Sequence, residues 1–398
     1  METLGIIASI LGILAFFAIS PNEMIENFRN WFWYPIKILL IAKKPDIYSL
    51  FTDLGVDDIK IENLFLNSKL DFTRFSSEVI EYSGSLPKKI ISLKNEEIEQ
   101  REKESREKGV TLDNNESYAL RRIDISRPEG KNGKRENNYK LILEPTNYFS
   151  FIFPNLYLDK RYPDVDTQEK RSLREMLNLN KDNLTISMLE KIPDCQFKIG
   201  TGTLLVTKDN YLICTVRSKK QAVAAPCDGE LAVHLSTAEG MYRSRNIPES
   251  GDLIDGVVSP FATSIRSLRD ELNIEEQHGN FDRKNLFCLG YFLDTRRAQP
   301  FFLFYLKLNL YCDDFFALYS DFPSDVHEND AIFAIPVKSS EIRKLFDGVP
   351  FCELTSPRYP QSHTSYFSQN NSLRVRIASN QAEAGFAIML YKSMFYGN

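Results

Sequence analysis

Residues 259–274, SPFATSIRSLRDELNI, carry the strongest helix signals in the C-terminal half of the chain. Ser259 is a favoured N-cap residue, and proline, here Pro260, is favoured at the first helical position. Asn273 tolerates the left-handed conformation that commonly ends a helix. The stretch therefore predicts one helix that begins after Ser259 and stops at Asn273.

Strand-like runs lie on both sides of this helix. Residues 198–207 and 211–217 are separated by Lys208-Asp209-Asn210, whose turn chemistry predicts a hairpin. A third strand is expected at 230–235. After the helix we expect a second hairpin from 286–293 and 301–310, a strand at 331–337, and a helix that begins near Glu341. This succession predicts an α/β unit.

The order of elements over about residues 196–348 resembles the Nudix superfamily, an α/β/α sandwich with one catalytic loop-helix-loop. The second half of the Nudix signature is Arg-Glu-apolar-x-Glu-Glu-x-Gly-apolar. The positions that match are Arg266, Leu268, Glu271 and Ile274. Asp270 is a mild replacement for glutamate, but Ser267 replaces the glutamate that helps to bind metal. Asn273 replaces glycine, and Val258 stands where the upstream glutamate belongs.

These departures predict weakened catalysis. Nudix enzymes use divalent cations, which offset pyrophosphate charge and activate water, and Mg²⁺ prefers carboxylate oxygens. The candidate metal ligands that remain are Asp270 and Glu271, with Glu239 as a third, although adjacent helix residues do not share a face. The resemblance implies that Arg266 braces the loop. We expect that the protein requires no cofactor. Mg²⁺ would bind only if residual hydrolase activity exists.

Basic side chains are plentiful near the expected cleft. The candidate ligand-binding residues are Arg217, Lys219, Glu239, Arg243, Arg245, Arg266, Arg296 and Arg297. Arginine forks pair with phosphates without a metal ion. Each residue taken alone favours a solvated surface charge over a binding role, so only convergence on one cleft favours a site.

The N-terminus carries a membrane signal. Leu4 to Ser20, LGIIASILGILAFFAIS, contains no charge and just meets the length of a spanning helix. The alternatives are a buried core helix and a signal peptide. Residues 18–20 resemble a cleavage site, although the basic n-region of a signal peptide is missing. The aromatic cluster at 31–34 introduces a second segment, either a kinked span or an interfacial helix. Basic residues up to Lys44 place the remainder in the cytoplasm.

The expected fold class is α/β, with an N-terminal transmembrane helix or helices, a small α/β accessory domain and a C-terminal Nudix-like sandwich. The expected divisions are 1–44 for transmembrane and juxtamembrane segments, 45–110 for a helical linker that ends in a charged helix, 111–195 for the accessory domain and 196–398 for the Nudix-like domain. Within the accessory domain we expect a strand at 119–126, strand-like or buried apolar runs at 139–143 and 148–153, and helices at 167–177 and 184–191.

Composition excludes some classes of function. The formal net charge is -5, which does not favour binding to a nucleic-acid polymer. The six cysteines form no CxxC unit and the four histidines are scattered, so a structural zinc site is not expected. Cysteines in apolar strand-like runs favour a reducing compartment.

The whole layout resembles the transmembrane Nudix effectors of bacterial cyclic-oligonucleotide antiphage (CBASS) systems, through architecture and the stretches RIDISRPEG (122–130), EPTNYFSFIF (144–153) and STAEGM (236–241). The resemblance implies a protein of the bacterial inner membrane with its soluble part in the cytoplasm. Its partners would be a cyclic nucleotide second messenger, the lipid bilayer and further copies of the chain. Ligand binding would trigger membrane disruption in antiphage defence.

Two other functions stay open. One is a membrane-tethered Nudix hydrolase that acts on a nucleoside diphosphate derivative. The other is a scaffold in which the domain only mediates contacts between proteins.

Overall fold

The computed structural model describes residues 46–395, apart from gaps at 67–69, 82–83, 85, 87, 108, 110–111, 113, 129–135, 164–168, 193–194, 219–226, 245–250 and 321–328. From Phe51 onward, these residues belong to one compact unit. The expected membrane and juxtamembrane segments at 1–44 lie outside the described residues.

The expected fold class requires a correction. A transmembrane helix ahead of two α/β units was the expectation, whereas the described residues form a mixed α/β fold with several sheets and ten α-helices. None of these helices is both long and apolar enough to cross a bilayer. The longest of them, Lys88–Glu107, is dominated by charged side chains.

The helices of the described chain are α1 Ile47–Asp53, α2 Lys88–Glu107, α3 Tyr148–Ile152, α4 Leu173–Met176, α5 Ile186–Leu189, α6 Pro260–Leu272, α7 Cys312–Ser320, α8 Ser339–Asp347, α9 Thr364–Gln369 and α10 Asn380–Phe395. The strands are β1 Ile59–Leu64, β2 Phe75–Val79, β3 Glu116–Ser126, β4 Asn138–Asn147, β5 Arg161–Pro163, β6 Lys170–Ser172, β7 Gly200–Val206, β8 Tyr211–Arg217, β9 Glu230–His234, β10 Thr237–Gly240, β11 Leu253–Ile254, β12 Val257–Val258, β13 Leu286–Asp294, β14 Gln299–Lys307, β15 Asn329–Pro336 and β16 Arg374–Ile377.

The main sheet has nine strands. Seven follow the order β1-β13-β14-β7-β8-β9-β16, while β10 pairs with β7 and β15 pairs with β8. The pairs β14–β7 and β16–β9 are parallel. Because Phe301 of β14 and Gly240 of β10 both lie opposite Gly200, the start of β7 lies beside the β13–β14 turn and the end of β10.

Helices α6 and α10 cover opposite faces of β7. On one face, Thr203 Oγ1 lies 2.7 Å from Ser264 Oγ of α6. On the other face, Gly385 of α10 approaches so closely that a Cβ there would lie 2.6 Å from the Leu235 side chain and 3.6 Å from that of Leu204. Successive strand residues point to opposite faces, so the sheet lies between two helical layers here.

The predicted boundaries of α6 are confirmed. Ser259 caps the helix, because its side chain accepts a hydrogen bond from the backbone N–H of Phe261, and Pro260 is the first helical residue. Asn273 ends the helix in the left-handed conformation, with φ of 55°. Both predicted hairpins are confirmed as well, as β7–β8 and β13–β14.

The N-terminal part contributes more strand than expected. The region predicted to be a helical linker supplies β2 and also β1, which pairs with β13 at the edge of the main sheet. Ile59 and Ile61 of β1 are buried there, which explains why a strand forms. Strands β2, β4 and β3 form a separate sheet, and single bridges join Ser117 to Tyr242 and Ala119 to Lys198.

Two short helices differ from the prediction. The apolar run at 148–153 forms α3 because the Asn147 side chain accepts from the backbone N–H of Ser150 and caps a helical turn. The helix expected at 167–177 is wrong in its first half, where Lys170–Ser172 form strand β6. Only α4 is helical in the described part of this range, and it begins with a capping box between Ser172 and Glu175.

Aromatic side chains pack the small sheet against α6. Phe75 of β2 stacks on Tyr139 with ring centroids 5.4 Å apart, and its ring lies 5.2 Å from that of Phe261. Phe261 in turn contacts Phe304 of β14 at 4.8 Å in an edge-on arrangement. This continuous aromatic packing joins both sheets in one core.

Candidate anion-binding site

Several candidate residues lie at one end of the main sheet. This end is formed by the start of β7, the end of β8, the end of β10 and the β13–β14 turn. It carries Arg217, Glu239 and Arg297 on three different elements. The predicted basic residues Lys219 and Arg245 lie outside the described residues.

Arg266 braces the structure. Its Nε lies 2.7 Å from Asp252 Oδ1, and one terminal nitrogen donates to Asp252 Oδ2 at 3.2 Å and to the carbonyl oxygen of Gly240 at 3.0 Å. The other terminal nitrogen lies 3.8 Å from Glu239 and 3.7 Å from Asp270. The guanidinium is therefore occupied by protein acceptors, and it ties Asp252 to the end of β10.

Asp252 is the partner that sequence reasoning missed. It accepts from Arg266, from Thr263 Oγ1 at 2.7 Å and from the backbone N–H of Tyr242 at 2.7 Å. Its side chain is only 2% exposed. It lies in a loop fourteen residues before Arg266, and no spacing rule linked the two residues.

Arg243 is also held by the protein. Its guanidinium lies 3.5 Å from a carboxylate oxygen of Glu116. Its positive charge also opposes the rise that burial causes in the pKa of Tyr118. Its backbone N–H donates to the carbonyl oxygen of Glu116. Arg243 therefore fastens the loop after β10 to β3.

The two candidate metal ligands on α6 point apart. Asp270 is exposed and lies 2.8 Å from Arg269. Glu271 faces α7, where its charge adds to burial in raising the pKa of Tyr319. Ser267 of the same helix points into the core, where its Oγ lies 2.8 Å from Thr237 Oγ1. No group of three or more His, Cys, Asp or Glu side chains in the described part of the chain is arranged to hold a metal ion.

Two cations at this end of the sheet lack hydrogen-bond acceptors among the residues that the structure describes. Lys198, which precedes β7, lies over the Tyr148 ring with its Nζ 5.2 Å from the centroid. The pKa of the Arg297 guanidinium is affected by the charges of Asp294 and Tyr148. Within the described residues, neither side chain makes a hydrogen bond or ion pair. Burial lowers the pKa of both groups. The carboxylates of Glu239 and Asp252 oppose this for Lys198, and that of Asp294 opposes it for Arg297.

Sequence reasoning missed Lys198. Its position at the start of a predicted strand carried no functional signal, because its proximity to Tyr148 depends on a contact between residues fifty positions apart. A Cβ on Gly240 would lie 2.7 Å from the Lys198 Nζ, so glycine leaves the space that this side chain occupies.

The adjacent arginines in the β13–β14 turn face different surroundings. Arg296 is exposed and its charge acts on Asp159 and Glu383, so acidic groups surround it. Arg297 is partly buried, and the charges that act on it are the carboxylate of Asp294 and the more weakly acting cations Arg296 and Arg101. Only Arg297 of this pair belongs to the candidate site.

Arg297 and Arg217 converge on a buried histidine. Burial, together with these two positive charges, holds the pKa of His234 well below its usual range, so the ring is neutral at physiological pH. Its Nε2 lies 2.8 Å from Ser379 Oγ, immediately before α10. Arg217 and Arg297, which lie far apart in the sequence, therefore both act on the same buried histidine.

Amide groups complete this end of the sheet. A Cβ on Gly200 would lie 2.6 Å from Gln381 Nε2 and 3.1 Å from Gln299 Nε2, so both carboxamides lie against the start of β7. Asp294 is fully buried and accepts from Asn380 Nδ2 at 3.0 Å and from backbone N–H groups of the turn. Burial raises the pKa of Asp294, while the positive charge of Arg297 opposes the rise.

Comparison with known proteins gives no family for the chain. No family model matches it, and no curated protein matches it. Among solved structures, the crystal structure of DR0079 from Deinococcus radiodurans is similar over 44% of this chain and 82% of its own. The identity is 10% and the TM-score is 0.25, values too low to carry an argument about function.

Proposed function

We propose that this end of the main sheet binds a small phosphate-bearing ligand of the nucleotide class, and that cationic side chains hold it. The observation that carries the proposal is the pair Lys198 and Arg297. Both are partly buried, and neither has an acceptor among the described residues. Lys198 lies over the Tyr148 ring, and the same tyrosine acts on the charge of Arg297.

A partly buried cation without an acceptor is unfavourable unless another group supplies the missing charge. Desolvation of an unsatisfied donor costs about 1–3 kcal/mol, and more when the donor is charged. Paired arginines at other places in the chain, such as Arg266, avoid that cost. A bound phosphate would supply acceptor oxygens and negative charge to Lys198 and Arg297 together.

The arrangement of acids favours binding over hydrolysis. Glu239 and Asp270 lie within 4 Å of the same Arg266 nitrogen, and Glu271 faces a different part of the core. Ser267, at the position where the Nudix family carries a glutamate, is buried among hydroxyl groups. The cyclic nucleotide expected from the sequence belongs to the ligand class proposed here. The antiphage role, the membrane disruption and the inner-membrane location stay predictions.

Thermal shift of the full chain with inorganic phosphate, in EDTA, tests the proposal. A ligand that binds only the native state raises the apparent stability as its concentration rises. We expect a concentration-dependent shift in the wild type, none in Arg297→Gln, and an undiminished shift in Arg296→Gln, the matched control from the same turn. Equal shifts in the two variants, or no shift in the wild type, would refute the proposal.

A further inference from the structure

A cavity of about 300 Å³ lies between helix α2, the loop that precedes β3, and the start of helix α3. This volume falls in the range of small-molecule binding sites. None of the candidate anion-binding residues that the structure describes lines the cavity. It is therefore a separate place on the molecule, with its own set of polar groups.

Two asparagine side chains are fixed at the wall of this cavity. Asn114 Oδ1 accepts from the backbone N–H of Phe149 at 2.9 Å, and Asn147 Oδ1 accepts from that of Ser150 at 3.0 Å. The protein thereby uses both carboxamide oxygens, whereas neither Nδ2 donates a hydrogen bond to a described residue. Because each carboxamide nitrogen carries two donors, these N–H groups are available to a ligand.

Helix α2 adds one group of each charge. Lys94 Nζ donates to Ser150 Oγ at 3.3 Å, which leaves two of the three ammonium donors. Glu99 is exposed, and its carboxylate has no hydrogen bond or ion pair with a described residue, so it offers acceptor oxygens. The formal charges of Lys94 and Glu99 cancel, and this balance favours an uncharged ligand over an anion.

The remaining wall is apolar on one side. Ile98 and Phe149 supply this part, while the other five lining residues are polar. Among the described residues that line the cavity, Phe149 alone is aromatic. A nucleobase is held by stacking between aromatic or apolar side chains, which a single ring does not provide. A sugar ring has one apolar C–H face and a rim of hydroxyl groups, each of which is both donor and acceptor.

We propose that this cavity binds a neutral, polyhydroxylated ligand of the pyranose class. The C–H face of the sugar packs on Phe149, and neighbouring hydroxyl groups donate to Glu99 and accept from the carboxamides of Asn114 and Asn147. Because no described residue of the phosphate site takes part, sugar binding here does not depend on phosphate binding at the main sheet.

Saturation-transfer NMR of the full chain with the methyl glycosides of glucose, galactose, mannose and N-acetylglucosamine tests the proposal, with adenosine as the comparison ligand. We expect transfer to the ring protons of at least one sugar. Glu99→Ala should weaken the binding of that sugar about tenfold or more, since a hydrogen bond to a charged group contributes at least that factor. Glu96→Ala is the matched control, because Glu96 is exposed on the same helix and does not line the cavity.

Phe149→Ala should abolish the transfer, because it removes the surface on which the sugar packs. Glu99→Ala decides the question even if Phe149→Ala does not fold, since Glu99 has no contact that the fold needs. The proposal is overturned if none of the four sugars binds, if Glu99→Ala keeps the affinity of the wild type, or if Glu96→Ala loses as much. Binding of adenosine in place of the sugars would assign the cavity to nucleosides and would overturn it as well.

Discussion

Replacing Lys198 with methionine should make the protein more stable and weaken its binding to phosphate. Methionine keeps the length and apolar stem of lysine and removes the charge. Desolvation of an unpaired ammonium costs about 1–3 kcal/mol, and the contact with Tyr148 at 5.2 Å returns roughly 0.5–1 kcal/mol. The expected gain in the free energy of unfolding is therefore about 1 kcal/mol.

The same substitution removes one charge-assisted contact to the ligand. Such a contact contributes about 1.5–3 kcal/mol, which corresponds to roughly a 10- to 100-fold loss of phosphate affinity. Urea denaturation without ligand measures the first effect, and calorimetric titration measures the second. Opposite signs in the two assays are the signature of a cation that is retained for a ligand.

Lys160→Met is the matched control. Lys160 also lies over tyrosine rings, with its Nζ 5.3 Å from the centroid of Tyr157, but it pairs with the buried carboxylate of Glu97. Its removal leaves that carboxylate uncompensated, so this variant should lose stability and keep phosphate affinity. A drop in stability for Lys198→Met comparable to that of the control, with unchanged phosphate binding, would refute the reasoning.

Three further substitutions test other parts of the account. Arg266→Gln leaves Asp252 buried without its cation and should lower the free energy of unfolding by about 3–5 kcal/mol; a urea midpoint close to that of the wild type would contradict the bracing role. Ser267→Glu places a carboxylate at a position with 1% exposure, so we expect the free energy of unfolding to fall by about 3 kcal/mol or more in the same assay. A stable variant with Mg²⁺-dependent hydrolysis would contradict the conclusion that this position of α6 belongs to the core. Burial, with Asp58 and Asp294 nearby, raises the pKa of Glu383 from 4.5 to about 7, so its contribution to stability is full below pH 4.5 and is lost as the pH rises through 7. Glu383→Gln should flatten the pH dependence of the urea midpoint between pH 4.5 and about 7. If the pH dependence stays unchanged, a group other than Glu383 causes it.

Local chemistry explains which elements the sequence predicts well. The ends of α6 follow from Ser259 and Asn273, and the hairpin turns follow from short polar stretches between apolar runs. In each case the deciding contacts lie within a few residues along the chain. The pairing of β1 with β13 depends on residues more than two hundred positions apart, so a pattern in residues 45–110 cannot indicate it.

The candidate site divides in the same way. Arg217 and Arg297 can be named from the sequence because they end a strand and occupy a turn. Lys198 cannot, because its place over the Tyr148 ring depends on how α3 packs against the main sheet. Arg296 and Arg297 differ in burial and in the charged groups near them, and this difference depends on packing. The sequence cannot show it, because neighbouring residues of one turn carry the same sequence signal.

The central claim is that the protein binds phosphate through cationic side chains, without a metal ion. Its most direct measurement is a calorimetric titration of pyrophosphate into the full chain in EDTA, for the wild type and for the double variant Lys198→Met/Arg297→Gln. The account predicts saturable one-to-one binding to the wild type and none to the double variant. Binding that appears only after Mg²⁺ is added, or that survives both substitutions, would contradict it.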